Sequence, residues 1–189
     1  MYREEYKEYV DLIATRLSPK RFVHSMNVAK AAVELTKLYG GDQKQAYLAG
    51  VLHDVMKEEK PEIQLQIIKE YVTMTDTVTL DAPPLWHAKA GAAYCERVLH
   101  ITDADLLNAI SYHTTGRAGM SRLEKILYLA DYIGEERDYE DVDIMRAETL
   151  TSMERGLRYA LTYTVTDLTS RGKAVHPDTL QAYEQYGKD

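Results

Sequence analysis

Apolar side chains recur three, four and seven residues apart along nearly the whole chain, and the few glycines and prolines gather between the periodic stretches. This pattern predicts an all-α helical bundle. The first helix is expected over about Glu4 to Arg16. Ser18 then supplies an N-cap and Pro19 a residue suited to the first helical position, opening a second helix that runs to Tyr39 and stops at Gly40-Gly41. Asp42 with Gln45 three residues on has the form of a capping box, ahead of a third helix carrying Ala46, Ala49, Leu52 and His53 and ending near Lys60-Pro61. A short helix is expected at 62–70, and the threonine-rich stretch from Val72 to Asp81 is expected to be irregular. Pro83-Pro84 starts the helix bearing His87, Asp103 caps one that runs through Leu106 and Ile110 to His113, and Ser121 with Glu124 forms a capping box for the helix bearing Asp131. From about Val142 a single long helix is expected through Leu150, Met153, Leu157, Leu161, Val165 and Leu168, and a last short one follows His176-Pro177-Asp178.

Set against this periodicity, several polar residues stand on apolar faces. His24 lies four before Val28 and seven before Ala31; His53 follows Ala49 by four and Ala46 by seven; His87 precedes Ala90, Gly91 and Tyr94; His113 follows Ile110 by three and Leu106 by seven. Asp131 falls four after Leu127 and eight after Leu123, so its carboxylate should point to the core or a cleft wall. Burying it unpaired would cost several kcal/mol, which a bound cation would offset. Any one of these residues is explained by a backbone partner or a water; five helices each presenting one point to a metal site. The adjacent pair His53-Asp54 means little alone, but its side chains leave the helix about 100° apart, so Asp54 is able to bridge. His87 and His113 would then serve a second ion or face the substrate. His100 and His176 lack the facial pattern and are expected to be structural or exposed.

Composition narrows the chemistry. The 189 residues suit one domain, 1–189, with 45% hydrophobic and 28% charged residues, and no apolar run approaches the roughly 20 residues that span a bilayer. Met1 to Tyr6 carry acidic side chains and lead into no signal-type apolar segment, so a cytoplasmic location is expected. Cys95 is the only cysteine, leaving nitrogen and oxygen to hold any metal. Imidazole with carboxylate suits iron, manganese or another divalent transition metal. The net charge of −7 argues against nucleic acid and acidic membranes as partners.

A phosphate substrate needs local cations all the same. Lys57, four after His53 and three after Asp54, projects beside the same site, a solvated surface lysine being the competing reading. Arg21, three before His24, stands near a helix N-terminus where free amides assist an anion, with a solvated arginine as its alternative. His113-Thr114-Thr115-Gly116-Arg117 places hydroxyls, a flexible glycine and a cation before another helix start, in the manner of a phosphate cradle.

The order His24, His53-Asp54, Asp131 resembles the ligand order of HD-superfamily phosphohydrolases. More narrowly, His53-Asp54-Val55-Met56-Lys57, Trp86-His87-Ala88-Lys89-Ala90-Gly91-Ala92, His113 to Met120 and Lys125 to Ile133 resemble the bacterial HD-type symmetrical bis(5'-nucleosyl)-tetraphosphatases, as does Val175-His176-Pro177-Asp178-Thr179 near the C-terminus. The resemblance implies an HD-domain helical bundle that cuts diadenosine tetraphosphate at its central anhydride into two ADP, with iron as the metal. It also implies that His24, His53, Asp54 and Asp131 hold the ion, and that Ser18, Arg21, Lys57, His87, His113 and the turn Thr114, Thr115, Gly116, Arg117 contact nucleotide or a second ion. After Asp131 the chain departs from that pattern: Gly134-Glu135 and Glu140-Asp141 replace a Glu-Pro pair and a later Pro-Gly, whereas Arg137 is kept. Asp54, Lys57, His87 and His113 are the expected catalytic groups, with Lys57 and Arg117 stabilising developing charge and His87 or His113 assisting the departing ADP. An HD nucleotidase or phosphodiesterase acting on another nucleotide, or a regulatory module that binds a nucleotide without turnover, are the rival readings. A homodimer is left open.

Overall fold

The computed structural model describes residues 2–71 and 77–188, and all regular structure among them is helical. The helices are α1 (Lys7–Arg16), α2 (Pro19–Tyr39), α3 (Gln43–Leu52), α4 (Pro61–Tyr71), α5 (Thr77–Leu80), α6 (Pro83–Arg97), α7 (Ala104–Tyr112), α8 (Arg122–Ile133), α9 (Val142–Thr151), α10 (Met153–Ser170) and α11 (Pro177–Ala182), followed by one wide π turn at Tyr183–Gly187. No helix among the described residues is long and apolar enough to cross a membrane.

The starts of these helices are chemically marked. Ser18 accepts from the Arg21 amide with Pro19 at the first position, Asp103 accepts from the Asp105 and Leu106 amides, and Ser121 and Glu124 complete a reciprocal capping box. Asp42 caps α3 as expected, but only half of the box forms. Gln45 instead turns its side-chain amide outward to Asp103, 2.6 Å away, tying the start of α3 to the start of α7.

Three expectations need correction. The third helix, expected to run to near Lys60-Pro61, ends at Leu52, and residues 53–58 form turns instead. Of the stretch expected to be irregular, residues 77–80 form the short helix α5, while 72–76 lie outside the described residues. The long helix from Val142 is two helices, broken at Ser152, whose extended backbone (φ −158°, ψ 154°) caps α10 through the Arg155 amide. Apolar spacing runs on across the break because Leu150, counted as a core position, is largely exposed. At the corner Gly156 lies so close to α9 that a Cβ there would meet the Thr149 Cα at 2.9 Å.

The side chains of α2, α3, α7 and α8 supply the centre of one hydrophobic cluster, with Val28, Leu52, Ile110, Leu127 and Leu129 fully or almost fully removed from solvent. α2 packs on α3 and α8, and α7 on α6 and α8. The α2–α3 crossing is tight because Gly50 faces Ala29: a Cβ at Gly50 would stand 2.7 Å from the Ala29 backbone nitrogen. This close approach brings the C-terminal end of α3 against the first half of α2, where His24 stands.

Candidate metal centre

His53 and Asp54 lie just past the end of α3, in a turn that keeps helical backbone angles at His53 (φ −54°, ψ −38°). His24 reaches them from α2, His87 from α6, His113 from the C-cap of α7 and Asp131 from the last turn of α8. All four histidines and Asp54 are buried, and the Asp131 side chain is about one-fifth exposed. The faces inferred from helical periodicity therefore converge on one place.

Asp54 is its middle. One carboxylate oxygen, Oδ2, faces Nε2 of His53 at 3.4 Å and Nε2 of His24 at 3.7 Å; the other, Oδ1, faces Nε2 of His87 at 3.3 Å and Nε2 of His113 at 3.6 Å. Asp131 Oδ1 stands 3.1 Å from Nε2 of His24. Within each histidine pair the Nε2 atoms are 3.3 Å apart (His24 and His53) and 3.2 Å apart (His87 and His113).

The tautomers follow from the opposite ring nitrogens. Nδ1 of His53 donates to the Gly50 carbonyl and Nδ1 of His113 to the Ile110 carbonyl, both at 2.7 Å, and a carbonyl only accepts. Nδ1 of His24 is bound by the Glu136 carboxylate, whose other oxygen takes a hydrogen bond from Asn27 at 2.7 Å. In their neutral forms these three rings turn Nε2 lone pairs toward carboxylate oxygens, acceptor against acceptor. Asp54 Oδ1 is buried without a hydrogen-bond donor. A cation resolves that arrangement, and the donor atoms fit one: His24, His53 and Asp131 form one cluster of metal-ligand spacing, and His53, Asp54 and His113 another.

Electrostatics agree with the geometry. Burial pushes Asp54 up, but the surrounding imidazoles outweigh it and hold the carboxyl well below the usual range. Asp131 is likewise lowered against its burial, by His24 and by Arg137. His24 is raised, its burial overcome by Asp131 and Glu136. His87 is pushed down to about 4, first by burial and then by His113 and Lys57, which leaves the ring neutral near pH 7.

Three cations border the centre. Arg21 donates to Asp54 Oδ2 at 2.8 Å, and Lys57 Nζ lies 3.2 Å from Nε2 of His87. Arg137 binds Asp131 twice, through Nε to its backbone oxygen at 2.8 Å and through a terminal nitrogen to its carboxylate. Burial lowers Lys57. Arg117 is placed otherwise: its guanidinium forms a bidentate pair with Glu124 at 2.6 and 2.7 Å and stacks 4.4 Å from the Tyr112 ring centre, so it secures the turn after α7. Ser18 caps α2 and donates to Glu58 at 2.7 Å. Thr114 is half-buried at the rim of a hollow, Thr115 is buried with its carbonyl accepting from Thr179 at 2.9 Å, and Gly116 has the left-handed backbone (φ 62°) that the turn requires. His176 is buried, capping α11 and hydrogen-bonded to Thr79 at 2.8 Å, whereas His100 is exposed.

Glu136 is the residue that sequence reasoning missed. It sits in an irregular loop with no periodicity to assign it a face, and the only signal was its place five residues after Asp131. That loop is held by Arg146, which donates to the carbonyls of Gly134 at 2.9 Å and Arg137 at 3.0 Å.

Comparison with known proteins agrees with this geometry. The HD domain family matches residues 21–135. The symmetrical bis(5'-nucleosyl)-tetraphosphatase of Halalkalibacterium halodurans is 36% identical over 93% of this chain and 94% of its own, and the Bacillus subtilis protein of the same name is 35% identical over 94% and 95%. The crystal structure of a predicted HD superfamily hydrolase involved in NAD metabolism, from Clostridium acetobutylicum, superposes with a TM-score of 0.91 at 33% identity, covering 95% of each chain. With converging histidines, a central Asp54 and this likeness over nearly its full length, the chain belongs to the HD-domain family of hydrolases and stands with its symmetrical bis(5'-nucleosyl)-tetraphosphatase members.

Proposed function

We propose that the protein hydrolyses diadenosine tetraphosphate, and related dinucleoside polyphosphates, at the central P–O–P linkage to give two molecules of ADP, with iron as its metal. The observation that carries this reading is the convergence of four imidazoles and two carboxylates on one point bordered by Arg21, Lys57 and Arg137. The relatives' names supply the substrate.

His24, His53, Asp54 and Asp131 would hold one ion, and Asp54 with His87 and His113 a second. When bound, such ions activate water and polarise a phosphoryl oxygen. The chain's own residues do the rest. Arg21 and Arg137 neutralise the phosphates that enter, and Thr114 offers a hydroxyl at the rim. Lys57, kept close to the phosphoryl group by its position beside His87, opposes the charge that develops as water oxygen bonds to phosphorus and the bond to the bridging oxygen breaks. Nothing further is consumed: one water adds, and two protons are released with the two fully ionised ADP. Arg117 contributes by holding the turn that carries His113 and Thr114. Residues 1–189 act as one domain in this reading, in the cytoplasm.

The test is product identification with diadenosine tetra-, tri- and pentaphosphate on a preparation whose metal content is measured in the same sample. ADP as the sole product from the tetraphosphate, lost on chelation and restored by ferrous iron, is expected. Iron-loaded protein that leaves the tetraphosphate intact, or that yields AMP and ATP, overturns it.

A further inference from the structure

Two hollows open beside the metal ligands, and they share a wall. The smaller, about 310 Å³, is reached past His113, Thr114 and Asp131, with Tyr132 and Tyr163 at its sides; the larger, about 590 Å³, opens on the other side, over His24 and against the first turns of α2. Arg137 and Tyr139 line both. Both volumes lie within the roughly 300–1,000 Å³ usual for small-ligand sites.

We infer that the α2-side hollow is a nucleoside subsite, holding the half of a dinucleoside polyphosphate that lies across the metal centre from the half seated beside Thr114. This rests on the proposed reaction and goes beyond it, because the reaction does not say where on the protein either nucleoside is held. The geometry asks for two places. Cutting at the centre of the substrate places its middle anhydride at Asp54, so equal lengths of phosphate chain must leave in two directions, and a hollow reaches the ligand set from each.

The chemistry of the larger hollow suits a nucleoside and its inner phosphates. Arg21 spans from the hollow to Asp54, 2.8 Å away, where a phosphate chain would pass. Lys20 is exposed on the wall and makes no side-chain hydrogen bond or ion pair among the described residues. The Asp138 carboxylate, on the same wall, is equally uncommitted, an acceptor of the kind that ribose hydroxyls and base amino groups seek. Val23 is 50% exposed and faces the same space, giving an apolar surface on which a base can lie. Lys20, Val23 and Asp138 together give this one hollow a cation, an apolar surface and an acceptor, the mixed character of a ligand site.

The experiment compares diadenosine tetraphosphate with adenosine 5'-tetraphosphate, which has the same phosphate chain and one nucleoside. A single nucleoside has a choice of hollows, so damage to one side should leave it nearly unaffected. Val23→Glu is the probing substitution, on a position exposed enough to keep the fold, with Lys20→Ala beside it and circular dichroism as the check. The wild type should favour the dinucleotide in kcat/KM. Val23→Glu should raise KM for the dinucleotide by about tenfold, and the single-nucleoside value should change by less than about threefold. An unchanged ratio between the two substrates in both variants overturns the subsite.

Binding separates this inference from the reaction on which it rests. The dinucleotide with a methylene group at its central bridge is titrated calorimetrically into wild type and Val23→Glu. Weakening of about tenfold in the variant upholds the subsite even if the natural substrate is never cleaved. Equal affinities, or no binding to the wild type, reject it whether or not ADP is produced.

Discussion

Glu136 binds Nδ1 of His24, and so fixes which nitrogen of that ring faces Asp131 and Asp54. The carboxylate is suited to hold it: burial pushes Glu136 up, but hydrogen bonds from His24 and Asn27 bring it down to about 2, and it stays ionised wherever the enzyme would work. Glu136→Ala should therefore lower metal affinity by about 10- to 100-fold while the helices stay intact. Metal titration of the chelator-treated variant, followed by elemental analysis, decides it; retention equal to wild type would show that the loop is dispensable for the ion.

How much of this was legible in the sequence depends on where each residue sits. His24, His87, His113 and Asp131 could be assigned to one site because a helix converts spacing into direction, and the capping residues Ser18, Asp103 and Ser121 marked where the helices begin. Glu136 lies beyond the last turn of α8, where spacing carries no direction. Arg117 shows what spacing leaves out. Its sequence neighbours made a phosphate cradle, but Glu124, visible only as part of a capping box, uses its carboxylate for Ser121 and Arg117 together. The break at Ser152 was hidden because apolar spacing continued through it.

Arg117→Met tests that assignment. Glu124 is almost fully buried and would lose its cation, whereas the arginine itself is about one-third exposed, so a loss of about 2 kcal/mol is expected. Denaturant unfolding should show it. KM for the dinucleotide should move by less than about threefold; a large rise in KM with unchanged stability would return Arg117 to the substrate.

Gly50→Ala should be costly although it adds one methyl group. The new Cβ would stand 2.7 Å from the backbone nitrogen of Ala29, so α2 and α3 must part. A loss of about 3 kcal/mol follows from overpacking, which lowers Tm by roughly 6–12 °C in a chain of this size. Calorimetry gives the number, and a shift within about 2 °C, less than a 1 kcal/mol loss would produce, would mean that the two helices separate without strain.

Cys95 is fully buried on the inner face of α6, and burial pushes its thiol up to about 12 from an ordinary value of 9.0. The native protein at pH 8 should resist iodoacetamide and react once unfolded. The same shift contributes to alkaline stability. The folded thiol keeps a proton that the unfolded chain releases, so its contribution is present below pH 9.0 and is lost as pH rises toward about 12. Cys95→Ala, compared with wild type in urea melts between pH 8 and 11, should flatten part of that decline; an identical slope would assign the loss to the buried tyrosines alone.

Gly50 also does something that its lack of a side chain conceals. Its missing Cβ sets how near α3 comes to α2, and its carbonyl oxygen, three residues before His53, accepts the hydrogen bond from that ring's Nδ1. Interhelical spacing and the orientation of a metal-facing imidazole thus descend from a single residue. Helix spacing and the aim of a ligand ring are therefore not separate traits in this molecule: a substitution that parted α2 from α3 at Gly50 would move the carbonyl that orients His53 by the same step.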